Sequence, residues 1–73
     1  MFGSFDGIRI YVYRRDHNPP HFHAMYAEYE AVIDIRTLEV LSGELPGKQL
    51  KKVRRWAEKV QPMLLEEFIR LQK

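Results

Sequence analysis

The sequence predicts an α+β fold, in which an antiparallel meander sheet of three or four strands is followed by a C-terminal helical segment packed on one face. Side chains alternate with a period of two before residue 42, and apolar residues recur at spacings of three and four after residue 46. The 73 residues contain no repeat, linker or low-complexity stretch. We therefore expect residues 1–73 to form a single domain with one small core.

The first predicted strand covers about residues 7–13. Its sequence, Ile8-Arg9-Ile10-Tyr11-Val12-Tyr13, alternates branched apolar side chains with polar or amphipathic ones, as a half-buried strand does. Asn18-Pro19-Pro20 follows, and its two prolines lack the backbone donors that the inside of a sheet requires. We expect this segment to be a rigid loop.

Three further strands are predicted at residues 21–26, 29–35 and 38–42. Two-residue connections at Ala27-Glu28 and Arg36-Thr37 would fix the pairing of these strands. Phe22 would then face Ile33 on the core side, and His21 would face Asp34 on the other side. A slip of one residue would reverse the two faces, because the side-chain period is two.

A helical segment is predicted over residues 46–72, with Pro46 in its first turn. One apolar stripe runs along it and is expected to pack on the sheet. Its members are Leu50, Val53, Ala57, Val60, Leu64, Phe68 and Leu71. Pro62 interrupts the stripe, so we expect a break near Val60-Gln61 that leaves either one kinked helix or two helices.

Composition limits the classes of protein that remain. The chain has no cysteine, so it has no disulfide, and a metal would have to be held by histidine and carboxylate. A core this small favours a homodimer or a complex with a small partner protein. No stretch approaches the roughly 20 apolar residues of a membrane span. The start, Met1-Phe2-Gly3-Ser4, does not resemble a secretory signal, so we expect a cytoplasmic protein without a membrane partner.

The three histidines of the chain, His17, His21 and His23, lie within seven residues. One hypothesis is a divalent-metal site formed by these three and Asp34, for which zinc, nickel or copper is the expected cofactor. The spacing matches no closed zinc motif. The plainer alternative is a group of surface histidines that hydrogen-bond to Asp34 and the backbone.

The same histidines also support a catalytic hypothesis. Here His21 and His23 act as base and acid of a metal-independent ribonuclease, since imidazole titrates near neutral pH. Arg14 or Arg15 would stabilise the charge of the phosphate.

A basic cluster in the helical segment is a candidate nucleic-acid site. Residues 47–60 carry a net charge of +5, which leaves −3 for the rest of the chain. The candidate residues are Lys48, Lys51, Lys52, Arg54, Arg55 and Lys59. Clustered cations bind phosphates, but they also form solvated helix faces or dock on acidic partners. No aromatic platform is evident beside them, and Trp56 is expected to pack in the core or an interface.

Several segments together resemble a known family. They are His17-Asn18-Pro19-Pro20-His21-Phe22-His23-Ala24, Tyr29-Glu30-Ala31-Val32-Ile33-Asp34-Ile35, Leu38-Glu39-Val40-Leu41, Leu45-Pro46 and Trp56-Ala57. Their order resembles the bacterial DUF4160 family over nearly the whole chain. The resemblance implies a small stand-alone protein of uncharacterised function, and some members are encoded beside other small or DNA-binding proteins.

A third hypothesis, which ranks ahead of the other two, is an interaction or nucleic-acid-associated module of a toxin-antitoxin-like two-gene system. It requires only the basic helix, the small size of the chain and the family resemblance. The chain departs from the family pattern at Val60-Gln61-Pro62, where the family would have a polar helix containing histidine and arginine, and also at its early end. These departures leave the histidines at the sheet edge as the main candidates for function.

Overall fold

The computed structural model describes residues 1–72, which form five strands followed by one long helix. The elements are β1 (Gly3–Phe5), β2 (Ile8–Tyr11), β3 (His21–Tyr26), β4 (Tyr29–Asp34), β5 (Val40–Glu44) and α1 (Gly47–Leu71). The strands pair antiparallel in chain order, with β1 and β5 at the two edges. The predicted α+β meander with a C-terminal helix is confirmed, with one strand more than predicted.

The additional strand, β1, forms a hairpin with β2 through Asp6 and Gly7. Both residues have positive φ, 49° and 77°, which is the backbone of the type I′ turn that Asp-Gly favours. The dipeptide was therefore a sequence signal for this hairpin, but the prediction began the first strand at residue 7. β2 is also shorter than the predicted 7–13.

The pairing of β3 with β4 agrees with the predicted register. Ala27-Glu28 is a two-residue connection, Phe22 pairs with Ile33, and His21 pairs with Asp34. Phe22 and Ile33 are completely buried, so the core side was predicted correctly. The two histidines of β3 consequently project from the opposite face of the sheet.

The connection between β4 and β5 differs from the prediction. Two residues at Arg36-Thr37 were expected, but the chain runs from Asp34 to Val40 before pairing resumes. Leu38 has a φ of 62°, and its amide donates to the Asp34 carbonyl at 2.8 Å. The longer turn moves the last strand from the predicted 38–42 to residues 40–44.

β5 contains a bulge that the sequence did not indicate. Ile33 pairs with Val40 and Val32 with Ser42, so Leu41 is an extra residue without a partner on β4. Gly43 follows with a φ of 73°, and a Cβ at this position would collide with the Glu30 carbonyl oxygen. Only glycine fits there without backbone movement.

The helix α1 begins immediately after Pro46, whose carbonyl accepts from the Leu50 amide at 2.9 Å. Its backbone leaves helical values at Val60, with φ −125° and ψ 16°, two residues before Pro62. The predicted kink is thus confirmed. Gln61 fixes the bend, because its Nε2 donates to the carbonyl oxygens of Ile35 and Arg36 at 2.8 and 3.1 Å.

The core lies between α1 and one face of the sheet. Buried residues of the strands meet the helix stripe there, including Ile8, Ile10, Ala24, Ala31, Val53, Ala57, Leu64 and Phe68. No second helix covers the other sheet face in residues 1–72. The described chain also contains no helix that combines the length and apolar character needed to cross a bilayer.

Candidate metal centre

The loop between β2 and β3 brings Asp16 to the histidines. Arg15, just before it, has a φ of 54°, and its amide donates to the Leu71 carbonyl at the end of α1. This hydrogen bond anchors the loop to the helix. The Asn18–Pro19 peptide bond in the same loop is cis. The carboxylate of Asp16 thereby lies over the first residues of β3.

Two imidazoles converge on that carboxylate. His21 and His23 alternate along β3 and so point to the same face. Nε2 of His21 lies 2.8 Å from Oδ2 of Asp16, and Nε2 of His23 lies 3.4 Å from the same oxygen. The three side chains can offer one ligand atom each, all within 4.8 Å of one another.

The other ring nitrogens have partners of their own. Nδ1 of His21 lies 2.7 Å from the carbonyl oxygen of Pro19, and Nδ1 of His23 lies 3.1 Å from Oε2 of Glu30. Both contacts leave Nε2 as the nitrogen that faces Asp16. The two rings are therefore held by different acceptors on one side and share one oxygen on the other.

Proton counting gives the chemical meaning of this arrangement. The Pro19 carbonyl can only accept, so Nδ1 of His21 carries a proton. An ionised Asp16 also only accepts, so the 2.8 Å contact with Nε2 needs either a second proton on the ring or a cation shared by both atoms. This geometry therefore requires a positive charge, from a proton or a metal ion, between Nε2 of His21 and Oδ2 of Asp16.

The pKa of Asp16 lies below its ordinary value. Desolvation, the largest single influence, raises this pKa, but hydrogen bonds from His21 and His23 and the charge of His21 lower it further than burial raises it. The amide of His17 contributes in the same direction. Asp16 is therefore ionised near neutral pH and available as a ligand.

Aromatic rings surround the two imidazoles. The Phe68 ring of α1 lies 5.6 Å from the His21 ring, and His21 is only 6% exposed. Tyr13 meets the His23 ring edge-on at 4.5 Å and stacks on Tyr11. Burial, followed by the nearby charge of Glu30, raises the pKa of the Tyr13 hydroxyl. The rings thus restrict how His21 and His23 can rotate.

A pocket of about 330 Å³ opens above this cluster. One side is formed by Asp16, His21 and His23, and the other by residues of the uncovered sheet face and the β5 bulge. The latter are Val32, Leu41 and Ser42. The cluster is therefore accessible from solvent through a partly apolar cavity.

Two of the predicted metal ligands lie outside the cluster. The side chain of His17 is 90% exposed at the rim of the pocket, with Nδ1 3.5 Å from Oδ1 of Asp16. Asp34 faces His21 in the strand register, but its Oδ1 accepts from the amides of Arg36 and Thr37 at 2.7 and 3.0 Å. The structure thus brings Asp16 to the imidazoles in the position expected for Asp34.

The two arginines predicted to stabilise a phosphate do not line the pocket above the imidazoles. Arg14 and Arg15 are exposed, and within residues 1–72 neither lines the pocket above the cluster. Both ring nitrogens of His21 are already engaged by protein acceptors. The geometry consequently gives the ribonuclease hypothesis less support than metal binding.

The predicted nucleic-acid residues divide into three sets. Lys48 and Lys51 are exposed and do not line the groove formed by three of the others. Arg54 has a structural role, because its Nε donates to the Leu38 carbonyl at 3.0 Å. Lys52, Arg55 and Lys59 line a groove together with Phe5 and Trp56. The sequence reasoning missed these aromatic neighbours, because Phe5 belongs to the unpredicted β1 and reaches the helix only through the fold.

A small α+β domain with an open histidine and aspartate cluster is the class of protein that these features define. The family described as "Domain of unknown function (DUF4160)" matches residues 7–68, and the chain belongs to it. The match includes every residue of the Asp16, His21 and His23 cluster. No curated protein and no solved structure matches the chain.

Proposed function

We propose that this protein binds a divalent transition metal through Asp16, His21 and His23, with further coordination positions open to the pocket. The single observation that carries the proposal is the convergence of two Nε2 atoms on one carboxylate oxygen while separate acceptors hold both Nδ1 atoms.

The distances are close to those that a metal requires. Nitrogen and oxygen ligands about 2.0–2.1 Å from a tetrahedral metal lie roughly 3.3 Å from each other. The Nε2 atoms of His21 and His23 lie 2.8 and 3.4 Å from Oδ2 of Asp16. The widest separation within the cluster does not exceed 4.8 Å, so small side-chain rotations would complete the geometry.

The partners of Nδ1 are those typical of metal sites. A histidine that binds a metal through one nitrogen usually donates the other N–H to a carbonyl or carboxylate, which fixes the tautomer and orients the ring. Pro19 and Glu30 supply these two acceptors here. A chance surface cluster would not require both rings to be oriented in this way.

The donor set limits which metal fits. Two imidazoles and one carboxylate suit zinc, nickel or copper, whereas magnesium and calcium prefer oxygen ligands. Two histidines and one carboxylate with open positions also suit ferrous iron. A metal with open positions would supply a Lewis acid or an activated water to a molecule in the pocket. Ser42 and His17 at the pocket rim could hydrogen-bond to such a molecule.

The competing state of the cluster is a metal-free ion-pair network with imidazolium rings. In residues 1–72 every buried side-chain nitrogen and oxygen has a hydrogen-bond partner, so this network is self-consistent. The two states differ in one measurable respect: only the metal site makes the free energy of unfolding depend on metal concentration.

The test is thermal unfolding of the chelator-treated protein with added zinc, nickel, copper or ferrous iron. At a free metal concentration 100 times Kd, stabilisation of about 2.7 kcal/mol is expected. In a domain of this size, that corresponds to a Tm increase of about 11–22 °C. Elemental analysis should find about one metal per chain. The proposal would be refuted if none of these metals raises Tm and none is found bound to the purified protein.

Matched variants identify the ligands. We expect His23→Gln and Asp16→Asn to abolish most of the metal-dependent increase in Tm. His17→Gln and Asp34→Asn remove the same chemical groups outside the cluster and should retain that increase. If His17→Gln and Asp34→Asn lose more of the metal-dependent increase in Tm than the first two variants, the ligands are those expected from sequence and not the ones proposed here.

The interaction module of a two-gene, toxin-antitoxin-like system stays a prediction. Its test is co-purification of the protein with the product of an adjacent gene. A homodimer or a small protein partner is likewise a prediction, which the mass of the protein in solution would check.

A further inference from the structure

A second cavity lies where the β1–β2 hairpin meets the first half of α1. It has a volume of about 220 Å³ and shares no lining residue with the pocket above Asp16. Its lining consists of Phe5, Asp6, Lys52, Arg55, Trp56 and Lys59, which we call the cationic groove. Three cations, one acid and two aromatic rings therefore surround one cavity.

The cations of this groove belong to a longer stripe on α1. Lys48, Lys52, Arg55 and Lys59 are separated by four, three and four residues, so they lie within about 60° of one another around the helix. The stripe is about 16 Å long at 1.5 Å per residue. It lies opposite the buried Val53 and Ala57 and so faces solvent.

Among the described residues, Asp6 is the one acid that pairs with a cation of the stripe. Glu58, the one acid of residues 47–60, lies about 90° around the helix from the centre of the stripe. Asp6 contacts Lys52 at 3.3 Å, but both side chains are well exposed, so water and salt weaken this pair. A phosphate can displace Asp6 at little cost.

The aromatic rings of the groove are held in place. The rings of Phe5 and Trp56 lie 5.2 Å apart with an interplanar angle of 34°. Phe2 and Phe22 meet the Trp56 ring edge-on at 6.1 and 6.2 Å. Phe5 and Trp56 remain partly exposed, so they offer a rigid apolar surface beside the cations.

We propose that the cationic groove binds single-stranded nucleic acid, with phosphates along the lysine and arginine stripe and an unpaired base against Phe5 and Trp56. A flexible strand carries a planar ring and a phosphate in every nucleotide, which matches rings beside cations. A duplex hides the faces of its bases, and an acidic peptide has no need of the aromatic surface. The proposal is independent of metal binding at Asp16.

The first test follows Trp56, which is the one tryptophan of the chain and therefore a specific fluorescent probe. Addition of single-stranded oligothymidylate should quench its fluorescence as a base approaches the indole. If four cations each displace a counterion, a plot of log K against log salt concentration should have a slope of about −3.

Two matched variants test the stripe. Arg55→Gln should lower affinity about three- to tenfold at low salt and make the slope shallower by roughly 0.7. Arg36→Gln removes the same charge from an exposed site outside the groove and should change affinity less than twofold. If both variants lose the same affinity, the oligothymidylate is attracted only by the net charge of the protein, and the proposal is overturned.

A third variant tests the aromatic surface. Phe5→Leu keeps every cation, so it should leave the salt slope unchanged while lowering affinity at least about fivefold. Circular dichroism checks that each variant is folded, and labelled oligothymidylate gives affinity independently of Trp56. Equal affinity for duplex DNA or for polyglutamate, or no effect of Phe5→Leu, would refute a single-strand site.

Discussion

Asp16 is the residue on which the candidate metal centre depends. Its Oδ2 is the shared neighbour of His21 and His23, and its Oδ1 accepts from the His17 amide at 3.1 Å. Three polar groups thus fix one short side chain in a loop. Without a metal, the negative charge of Asp16 still stabilises the folded chain through the same neighbours.

A pH dependence follows from the lowered pKa of Asp16. Because this pKa is lower in the folded chain than the unfolded value of about 3.9, the unfolded state binds more protons between the two values. The contribution of Asp16 to stability is then complete above the unfolded pKa and disappears as pH falls through the folded pKa.

The measurement compares chelator-treated wild type with Asp16→Asn between pH 2 and pH 5.5 by urea unfolding. We expect wild type to be more stable at the upper end of this range, and the difference to disappear at the lower end. His17→Gln serves as the reference for changes elsewhere in the loop. A difference between wild type and Asp16→Asn that does not change with pH would contradict the role given to this carboxylate.

The contrast between Asp16 and Asp34 shows what sequence could predict of the site. Period-two alternation placed His21 and His23 on one face and paired His21 with Asp34, and both features are present. The carboxylate of Asp34 nevertheless accepts from the amides of Arg36 and Thr37, a local preference of aspartate that competes with contacts across a sheet. Asp16 lies beside His21 and His23 because tertiary contacts fix the path of its loop, and a periodic sequence pattern cannot predict such a path.

At the scale of elements, prediction from sequence succeeded for the long elements and failed for the short strand and at one of the turns. Periodicity predicted β3, β4 and the long helix well, because each contains enough residues to show a pattern. Asp6-Gly7 was a local signal for a strand of three residues, too short to show a period. The bulge at Leu41 is a property of how β5 pairs with β4, which the residue types there did not indicate.

The turn between β3 and β4 contains a strained residue, Ala27. Its φ of 51° costs an L-residue about 1–2 kcal/mol, whereas glycine adopts this region freely. Glycine adds unfolded-state entropy worth about 0.4–1 kcal/mol against the folded state. We expect Ala27→Gly to raise the free energy of unfolding by about 0.5–1 kcal/mol, measured by urea unfolding.

Glu28→Gly is the matched control, because Glu28 is exposed in the same turn and is not among the residues with positive φ. It should not stabilise the protein, since it adds unfolded entropy without relieving strain. Equal effects of the two substitutions would show that the turn does not hold Ala27 in this conformation in solution.

For the whole molecule, the kink in α1 connects the core to the candidate metal centre. The first half of the helix packs Val53 and Ala57 in the core, and the bend at Val60 directs the second half toward the β2–β3 loop. There Leu71 accepts from the Arg15 amide, and Phe68 packs against the His21 ring. One helix therefore supports both the sheet and the loop that carries Asp16.

This support predicts that a change in the core alters metal binding without touching a ligand. Phe68→Leu keeps most of the buried volume, so it should cost about 1 kcal/mol of stability. It also removes the ring that restricts His21. We expect metal affinity, measured by calorimetry well below Tm, to fall roughly tenfold, as it does when other supporting groups of metal sites are lost.

Val53→Ala is the control for general destabilisation, because Val53 is fully buried in the first half of α1. It should cost about 2 kcal/mol of stability through the cavity that it creates, yet leave metal affinity unchanged. If affinity instead falls with stability in both variants, metal binding depends only on how tightly the domain is folded. If Phe68→Leu leaves affinity intact, the helix does not position His21, and the orientation of its ring comes from Pro19 and Asp16 alone.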